Sequence, residues 1–150
     1  MAVGRMLADA VVGGERIGLS GELGAGKTCL VRGLAEGLGI PADKVRSPSF
    51  TLVLPYEGGR LPLYHIDLFR LHPGEVDRMA LREYLYGDGV CAVEWFEHLG
   101  EPLIDFLEIM LTFVEAETRR LVAVGYGVGY KKPLQLLHEW SEKESKWRIG

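Results

Sequence analysis

The spacing of hydrophobic residues in the first forty positions predicts a helix, a strand and a second helix. Residues 1–12 place their apolar side chains on one side of a helix, which a glycine pair then ends. Residues 17–20 are a short apolar run, which is typical of a buried strand. Residues 28–38 again carry apolar side chains at helical spacing, and a glycine and a proline follow within three positions.

The pattern up to residue 130 predicts five more strands and one more helix. Extended apolar runs occupy residues 50–56, 61–67, 89–93, 103–113 and 119–127, and a helical pattern occupies roughly residues 73–86. The first two of these strands flank a Gly-Gly turn and the last two flank a short polar turn, so we expect two β-hairpins. A chain of strictly alternating strands and helices would not contain them.

The last twenty residues differ from the rest of the chain. Residues 131–150 are amphipathic and highly charged, which predicts a C-terminal helix or a tail after one domain over residues 1–130. The chain has 150 residues, of which 47% are hydrophobic and 25% charged, as in an ordinary globular domain. Its apolar runs are far shorter than the roughly 20 residues of a membrane span, and no leader pattern is present. We expect a cytoplasmic protein with no membrane partner.

Charge and cysteine content narrow the possible functions. The net charge is −4, from 17 basic and 21 acidic residues, which gives no support to a broad nucleic-acid-binding surface. Two cysteines, Cys29 and Cys91, are too few for a disulfide framework or a zinc site. We expect both to be small buried hydrophobic side chains.

Residues 21–28, GELGAGKT, match the phosphate-loop pattern G-x-x-x-x-G-K-[ST] at every fixed position. The glycines let backbone N–H groups approach a phosphate, Lys27 can reach the β- and γ-phosphates, and the Thr28 hydroxyl can bind magnesium. A chance glycine-rich turn is the alternative, but a strand before the loop and a helix after it aim a helix N-terminus at a phosphate. The predicted nucleotide-binding residues are Gly21, Glu22, Leu23, Gly24, Ala25, Gly26, Lys27, Thr28 and Cys29.

Two carboxylates stand at the ends of predicted buried strands, Asp67 in YHIDLFR and Glu94 in VCAVEW. A strand end beside the phosphate loop is the usual source of the acid that binds magnesium. Asp67 could instead cap a helix or a turn, and Glu94 could be a solvated strand end. The residues alone leave open which one binds metal and which one orients water or senses the γ-phosphate. His65, Arg70 and Trp95 lie beside these acids and are secondary candidates, because ordinary packing or ion pairing would also explain them.

Residues 46–52, RSPSFTL, form a second unusual segment, with hydroxyl groups around a proline. Such a segment could close over a γ-phosphate, although a plain loop that leads into a strand is the simpler interpretation of the segment by itself. The candidate switch residues are Ser47, Pro48, Ser49, Phe50 and Thr51.

Four motifs, GELGAGKT, SPSFTL, LYHIDLFRL and VEWFEHL, occur in an order and spacing that closely resemble the bacterial TsaE (YjeE) ATPases over about residues 3–125. The resemblance implies a P-loop NTPase-type three-layer α/β sandwich, whose mixed sheet has a parallel core and antiparallel hairpin strands. It implies ATP with Mg2+ and a role in threonylcarbamoyladenosine modification of tRNA, at the adenosine next to the anticodon. It also implies partnership with the TsaB and TsaD proteins, which carry the transferase site. The protein would then contact tRNA only indirectly, through that complex. Hydrolysis would reset the complex rather than drive the transfer.

The motifs of the family can be placed on this chain residue by residue. Its S-P-[TS]-[FY] switch motif falls on residues 47–50, its H-x-D-L-[YF]-R motif on residues 65–70 and its E-W pair on residues 94–95. The resemblance thus implies Lys27, Asp67 and Glu94 as catalytic residues. It implies Thr28, with Asp67 and Glu94, as the candidates for metal binding.

Two other kinds of protein share the phosphate loop. A small-molecule kinase would need an acceptor pocket and a mobile arginine-bearing lid, and the EGGR turn at residues 57–60 is too short for such a lid. A nucleotide-gated binding module would need no useful turnover, and the sequence does not distinguish it from an ATPase. ATP is favoured over GTP because the chain contains no guanine-reading N-K-x-D motif.

Overall fold

The structure is a computed structural model, and it describes residues 1–48, 50–100 and 103–143. The described residues form four α-helices and six strands. The helices are α1 (Ala2–Ala8), α2 (Lys27–Gly37), α3 (Arg78–Leu85) and α4 (Lys131–Lys143). The strands are β1 (Arg16–Gly21), β2 (Val53–Tyr56), β3 (Leu63–Asp67), β4 (Val90–Glu94), β5 (Phe106–Glu115) and β6 (Thr118–Tyr126). None of the helices in this part of the chain is long and apolar enough to cross a membrane.

All six strands belong to one mixed sheet, in the order β2-β3-β4-β1-β5-β6. The four central strands run parallel to one another, whereas the edge strands β2 and β6 pair antiparallel with β3 and β5. Both predicted hairpins are therefore confirmed, and so is the mixed sheet with a parallel core. Because β4 lies between β3 and β1, the C-terminal ends of β3 and β4 lie beside the loop that follows β1.

Helices cover both faces of the sheet, as the alternation of side chains along β4 shows. Val90 and Ala92 pack into a buried cluster shared with α1, α2 and α4. Cys91 and Val93 pack into a second cluster with α3 and the turn after β4. Since successive side chains of a strand point to opposite faces, these two clusters are the two inner interfaces of a three-layer α/β sandwich.

Several element boundaries differ from those predicted. The first helix ends at Ala8 rather than residue 12. The Ala8 carbonyl, which a longer helix would pair with an N–H four residues further on, accepts a hydrogen bond from the Arg60 guanidinium, which also donates to the Val11 carbonyl. The strand predicted at residues 50–56 begins only at Val53, since residues 50–52 turn back and the Leu52 N–H donates to the Pro48 carbonyl at 2.7 Å.

The helix predicted at residues 73–86 is divided in two. A 3₁₀ turn at Pro73–Glu75 comes first, and α3 begins at Arg78. Asp77 separates them because its carboxylate caps α3, accepting hydrogen bonds from the N–H groups of Met79 and Ala80. The strand predicted from residue 103 begins at Phe106.

The predicted C-terminal helix is present as α4. Its residues Pro133 and Leu137 are buried, and the helix packs against α1 and β6. The amphipathic pattern is thus explained by a helix laid on the same core as α1 and α2. Residues 144–150 of the predicted segment lie outside the described residues.

Candidate functional site

The phosphate loop connects β1 to α2, as the sequence predicted. Gly26 is the N-cap of α2 and has a φ of 110°, a left-handed conformation that favours glycine. At Gly21 an added Cβ would lie 2.3 Å from the Leu111 carbonyl oxygen, so a side chain does not fit against β5. The loop is therefore held close to the sheet, and it leads directly into the N-terminus of α2, whose first N–H groups have no partner within the helix.

A cavity of about 350 Å³ opens in front of the loop. It brings together residues from all four of the predicted motifs, and its lining is Leu23, Gly24, Gly26, Lys27, Thr28, Cys29, Ser47, Asp67, Phe69, Arg70, Glu94 and Trp95. The other predicted loop residues, Gly21, Glu22 and Ala25, are not part of this lining. A cavity of this size, polar at its base and at the N-terminus of a helix, is suited to a phosphate-bearing small molecule.

Lys27 lies at the base of the cavity and is only 5% exposed. Its ammonium group donates hydrogen bonds to the carbonyls of Gly21 and Glu22 and lies 4.0 Å from the centre of the Trp95 ring. Burial lowers the pKa of Lys27, and the nearby carboxylates, Glu94 first among them, oppose that shift. The ammonium group is thus already desolvated, which strengthens its attraction for an incoming anion.

Glu94 ends β4 beside β1, and the residue is only 3% exposed. Its Oε1 accepts a hydrogen bond from the Thr28 hydroxyl at 2.8 Å and lies 2.7 Å from Nε2 of His65. The predicted metal-binding hydroxyl and one predicted acid are therefore joined directly. His65 is fully buried behind Glu94 and does not line the cavity.

Asp67 ends β3 and is the register partner of Glu94. Its Oδ2 accepts a hydrogen bond from the Ser47 hydroxyl at 2.8 Å, and its Oδ1 accepts one from the Phe69 N–H at 2.9 Å. The two predicted acids thus lie side by side but have different partners. Glu94 is tied to the phosphate-loop helix, whereas Asp67 is tied to the predicted switch segment.

The predicted switch segment only partly lines the cavity. Ser47 faces it, while Phe50 and Thr51 line an adjacent groove together with Arg46. Phe50 is 85% exposed, and the Arg70 guanidinium lies 4.0 Å from the centre of its ring. Pro48 accepts the backbone hydrogen bonds that close the turn, and Ser49 lies outside the described residues.

The expectation that both cysteines are buried is wrong for one of them. Cys91 is buried in β4, where burial raises the pKa of its thiol to about 12. Cys29, by contrast, is exposed at the rim of the cavity. It follows Thr28 in the first turn of α2, so it shares the outward-facing surface of the phosphate loop rather than the buried face of the helix.

The donor groups present fit magnesium held together with a nucleotide. Among the described residues, no group of three or more His, Cys, Asp and Glu side chains could hold a metal ion without a further ligand. Magnesium in nucleotide sites normally has few protein ligands, since phosphate and water oxygens complete its coordination. The Thr28 proton is directed to Glu94, which leaves the lone pairs of the hydroxyl oxygen for a cation.

Sequence reasoning missed two features of this site. It did not find that the His65 ring touches Glu94, although the alternation of His65 and Asp67 along β3 places both on one face of the sheet. It also placed Phe69 in the H-x-D-L-[YF]-R motif without assigning it to the site, whereas Phe69 lines the cavity and its ring centre lies 5.0 Å from that of Trp95. The adjacency of Phe69 to Asp67 in the chain was the available signal.

Comparison with known proteins gives one consistent result. The family described as "Threonylcarbamoyl adenosine biosynthesis protein TsaE" matches residues 1–122. Proteins called tRNA threonylcarbamoyladenosine biosynthesis protein TsaE are 40% identical over 122 residues in Nostoc and 38% identical over 131 residues in Bacillus subtilis. These alignments cover 79% and 87% of this chain, and 75% and 82% of the relatives.

A solved structure agrees with the sequence comparison. The crystal structure of Bacillus subtilis YdiB superimposes with a TM-score of 0.68 at 34% sequence identity, covering 95% of this chain and 86% of that one. The fold is thus a P-loop NTPase-type α/β fold. The chain belongs to the TsaE family, which takes part in the biosynthesis of threonylcarbamoyladenosine in tRNA.

Proposed function

We propose that this protein is a magnesium-dependent ATPase that acts on a complex of the TsaB and TsaD proteins during threonylcarbamoyladenosine modification of tRNA. The observation that carries the proposal is the convergence of Lys27, Thr28, Glu94 and Asp67 on one cavity at the N-terminus of α2. An ammonium group, a hydroxyl and two carboxylates around a helix N-terminus are the groups that phosphoryl transfer requires.

Each of these residues has a distinct task in the proposed reaction. Lys27 and the N–H groups of the loop bind the β- and γ-phosphates, and Thr28 with Glu94 would hold magnesium. When bound, magnesium neutralises charge that develops on the phosphate oxygens. Glu94 stands on the strand next to β1, the usual place of the acid that accompanies the phosphate-loop hydroxyl.

Asp67 is proposed to couple the phosphate site to the switch segment. Its carboxylate accepts a hydrogen bond from the Ser47 hydroxyl, at the same edge of the sheet where Glu94 accepts one from Thr28. A γ-phosphate or an attacking water that reached Asp67 would compete for this hydrogen bond. The arrangement of residues 46–51 would then depend on the state of the nucleotide.

The proposed partner surface is the rim formed by Arg46, Phe50 and Arg70. Phe50 is an exposed aromatic side chain stacked under a guanidinium group, a combination that is enriched at protein interfaces. The rim adjoins the cavity, because Arg70 lines the cavity and Arg46 lines the neighbouring groove. Contact with TsaB and TsaD through this rim would make their binding sensitive to nucleotide, while tRNA would be reached only through the complex.

The first test is ATP hydrolysis in the presence of TsaB and TsaD. Lys27→Ala should abolish turnover, because a phosphate-directed charge in a sheltered site is worth about 3–4 kcal/mol of transition-state stabilisation. Lys132→Ala, on the exposed side of α4, is the matched control and should leave turnover unchanged. Circular dichroism of both variants checks the fold. Near-normal turnover of Lys27→Ala would contradict the proposal, and a phosphorylated metabolite in place of phosphate would favour a kinase.

The second test measures partner affinity with an ATP analogue, with ADP and without nucleotide. We expect the three affinities to differ. Linkage then requires the partners to tighten ATP binding by the same factor by which ATP tightens partner binding. Equal partner affinity in all three states would remove the switch from the mechanism.

A further inference from the structure

We propose that His65 is a positioning residue for Glu94, an inference that rests on the proposed ATPase function. The Nε2 atom of the imidazole lies 2.7 Å from Oε1 of Glu94, and both side chains are buried, with side-chain exposures of 0% and 4%. His65 precedes Asp67 by two positions on β3 and therefore lies on the same face of the sheet, behind the cavity.

The hydrogen bond determines which ring nitrogen carries the proton. A carboxylate only accepts hydrogen bonds, so Nε2 of His65 must be the donor. The other nitrogen, Nδ1, is buried and has no hydrogen-bond partner among the described residues. In the neutral ring, this assignment leaves Nδ1 as an unpaired acceptor.

An unpaired polar atom in the core is unfavourable for folding. An apolar side chain at this position would remove that penalty and could pack among the neighbouring residues Leu63 and Ala92, which are completely buried. The one favourable polar contact of His65 within the described residues is with Glu94. We therefore attribute the role of His65 to its effect on the Glu94 carboxylate.

The effect on Glu94 is to fix its orientation. Oε1 receives hydrogen bonds from two sides, from Thr28 on the phosphate-loop helix and from His65 in the sheet. With Oε1 held in this way, Oε2 is the oxygen that can meet a ligand in the cavity, which Glu94 lines. A partner that orients a metal-binding side chain commonly changes metal affinity or activity by about 10- to 100-fold when it is removed.

The test compares His65→Leu with His65→Gln in the full-length chain. A fluorescent ATP analogue is titrated by anisotropy in EDTA and again in magnesium, and the ratio of the two affinities gives the gain from the metal. In His65→Leu this gain should fall by about 10-fold or more while the affinity in EDTA stays the same. His65→Gln should retain most of the gain, because its amide nitrogen can occupy the position of Nε2 and donate to Oε1.

Leu63→Ala is the matched control, since it removes a fully buried side chain from the same strand without touching Glu94. It should lower the melting temperature and leave the gain from magnesium unchanged. If Leu63→Ala reduced the gain as much as His65→Leu does, general destabilisation would explain the result and the inference would be overturned. An unchanged gain in His65→Leu would overturn it as well, with the proposed ATPase function intact. A wild-type protein with no gain from magnesium would overturn both.

A spectroscopic test avoids substitution of His65. In long-range ¹H–¹⁵N spectra of the wild-type protein, His65 should carry its proton on Nε2, and Glu94→Gln should shift that proton's resonance. If the proton were on Nδ1 alone, the lone pair of Nε2 would face a lone pair of Glu94 Oε1, and this result would refute the proposed hydrogen bond.

Discussion

Glu94→Gln and Asp67→Asn should damage the site in different ways. Both substitutions remove one negative charge and keep the shape of the side chain. Glu94 is joined to Thr28 and His65, whereas Asp67 is joined to Ser47 and the Phe69 N–H. We expect Glu94→Gln to reduce magnesium-dependent ATP binding, and Asp67→Asn mainly to reduce turnover and the response of the switch segment.

The size of the Glu94 effect follows from its two hydrogen bonds. A hydrogen bond to a charged group is worth about 1.5–3 kcal/mol and one between neutral groups about 0.5–1.5 kcal/mol. Neutralising Oε1 therefore weakens the attachment of Thr28 and His65 by about 2 kcal/mol in total. Loosening the groups that orient a metal-binding carboxylate typically lowers metal affinity by about 10- to 100-fold, and we expect a comparable fall in affinity for ATP in magnesium. The lost carboxylate charge adds to this value.

The assay is a titration of labelled ATP with and without magnesium, followed by single-turnover hydrolysis with the partners present. Asp67→Asn should change magnesium-dependent affinity much less than Glu94→Gln does, because it leaves the Glu94 hydrogen bonds in place. The reverse pattern, in which Asp67→Asn loses metal dependence and Glu94→Gln keeps it, would refute the assignment of Glu94 to the metal. Wild-type behaviour of both would refute a role for either acid.

Three further predictions concern other parts of the molecule. Gly4→Ala should lower the free energy of unfolding by about 1–3 kcal/mol, since its Cβ would lie 2.2 Å from a backbone oxygen of α2. Chemical denaturation measures this change, and Gly74→Ala is the control because its Cβ would meet nothing within 4 Å. Iodoacetamide at pH 8 should alkylate Cys29 but not Cys91, whose thiol has a pKa of about 12, and ATP should protect Cys29; mass spectrometry reads out both sites. ATP affinity should fall as the pH rises toward 10.5. The pKa of Lys27 is lowered in the free protein, so Lys27 loses its proton in this pH range, whereas bound phosphates favour the protonated ammonium. Calorimetry of Lys27→Arg should show no such fall, because arginine stays charged.

The sequence predicted the parts of the fold in which local pattern and tertiary structure agree. The phosphate loop combines a residue-specific motif with a strand before it and a helix after it, so β1, α2 and the loop between them were placed correctly. The hairpins were predictable because each pairs two neighbouring extended runs across a short turn. In both cases the information lies within about thirty residues of chain.

The remaining details depend on residues that are distant in the sequence. The first helix ends at Ala8, whose carbonyl accepts a hydrogen bond from Arg60, a residue 52 positions further along the chain. Cys29 is exposed because of how α2 is oriented on the sheet, and its helical spacing alone did not reveal this. The strand order also decides which acid stands next to β1, and a single sequence does not contain the register that pairs Asp67 with Glu94.

The strand order explains how one site could separate nucleotide binding from the response of the switch segment, residues 46–51. β4 lies next to β1, so Glu94 reaches the Thr28 hydroxyl, whereas β3 is one strand further away and Asp67 reaches the segment that follows α2 instead. The two carboxylates are adjacent on one face of the sheet, yet each is hydrogen-bonded to a different element. A change in phosphate charge between ATP and ADP would act on both at once, with Glu94 transmitting it to the loop helix and Asp67 to residues 46–51. Loss of the Ser47 hydroxyl should therefore weaken the dependence of partner binding on nucleotide while ATP affinity is kept, which Ser47→Ala tests directly.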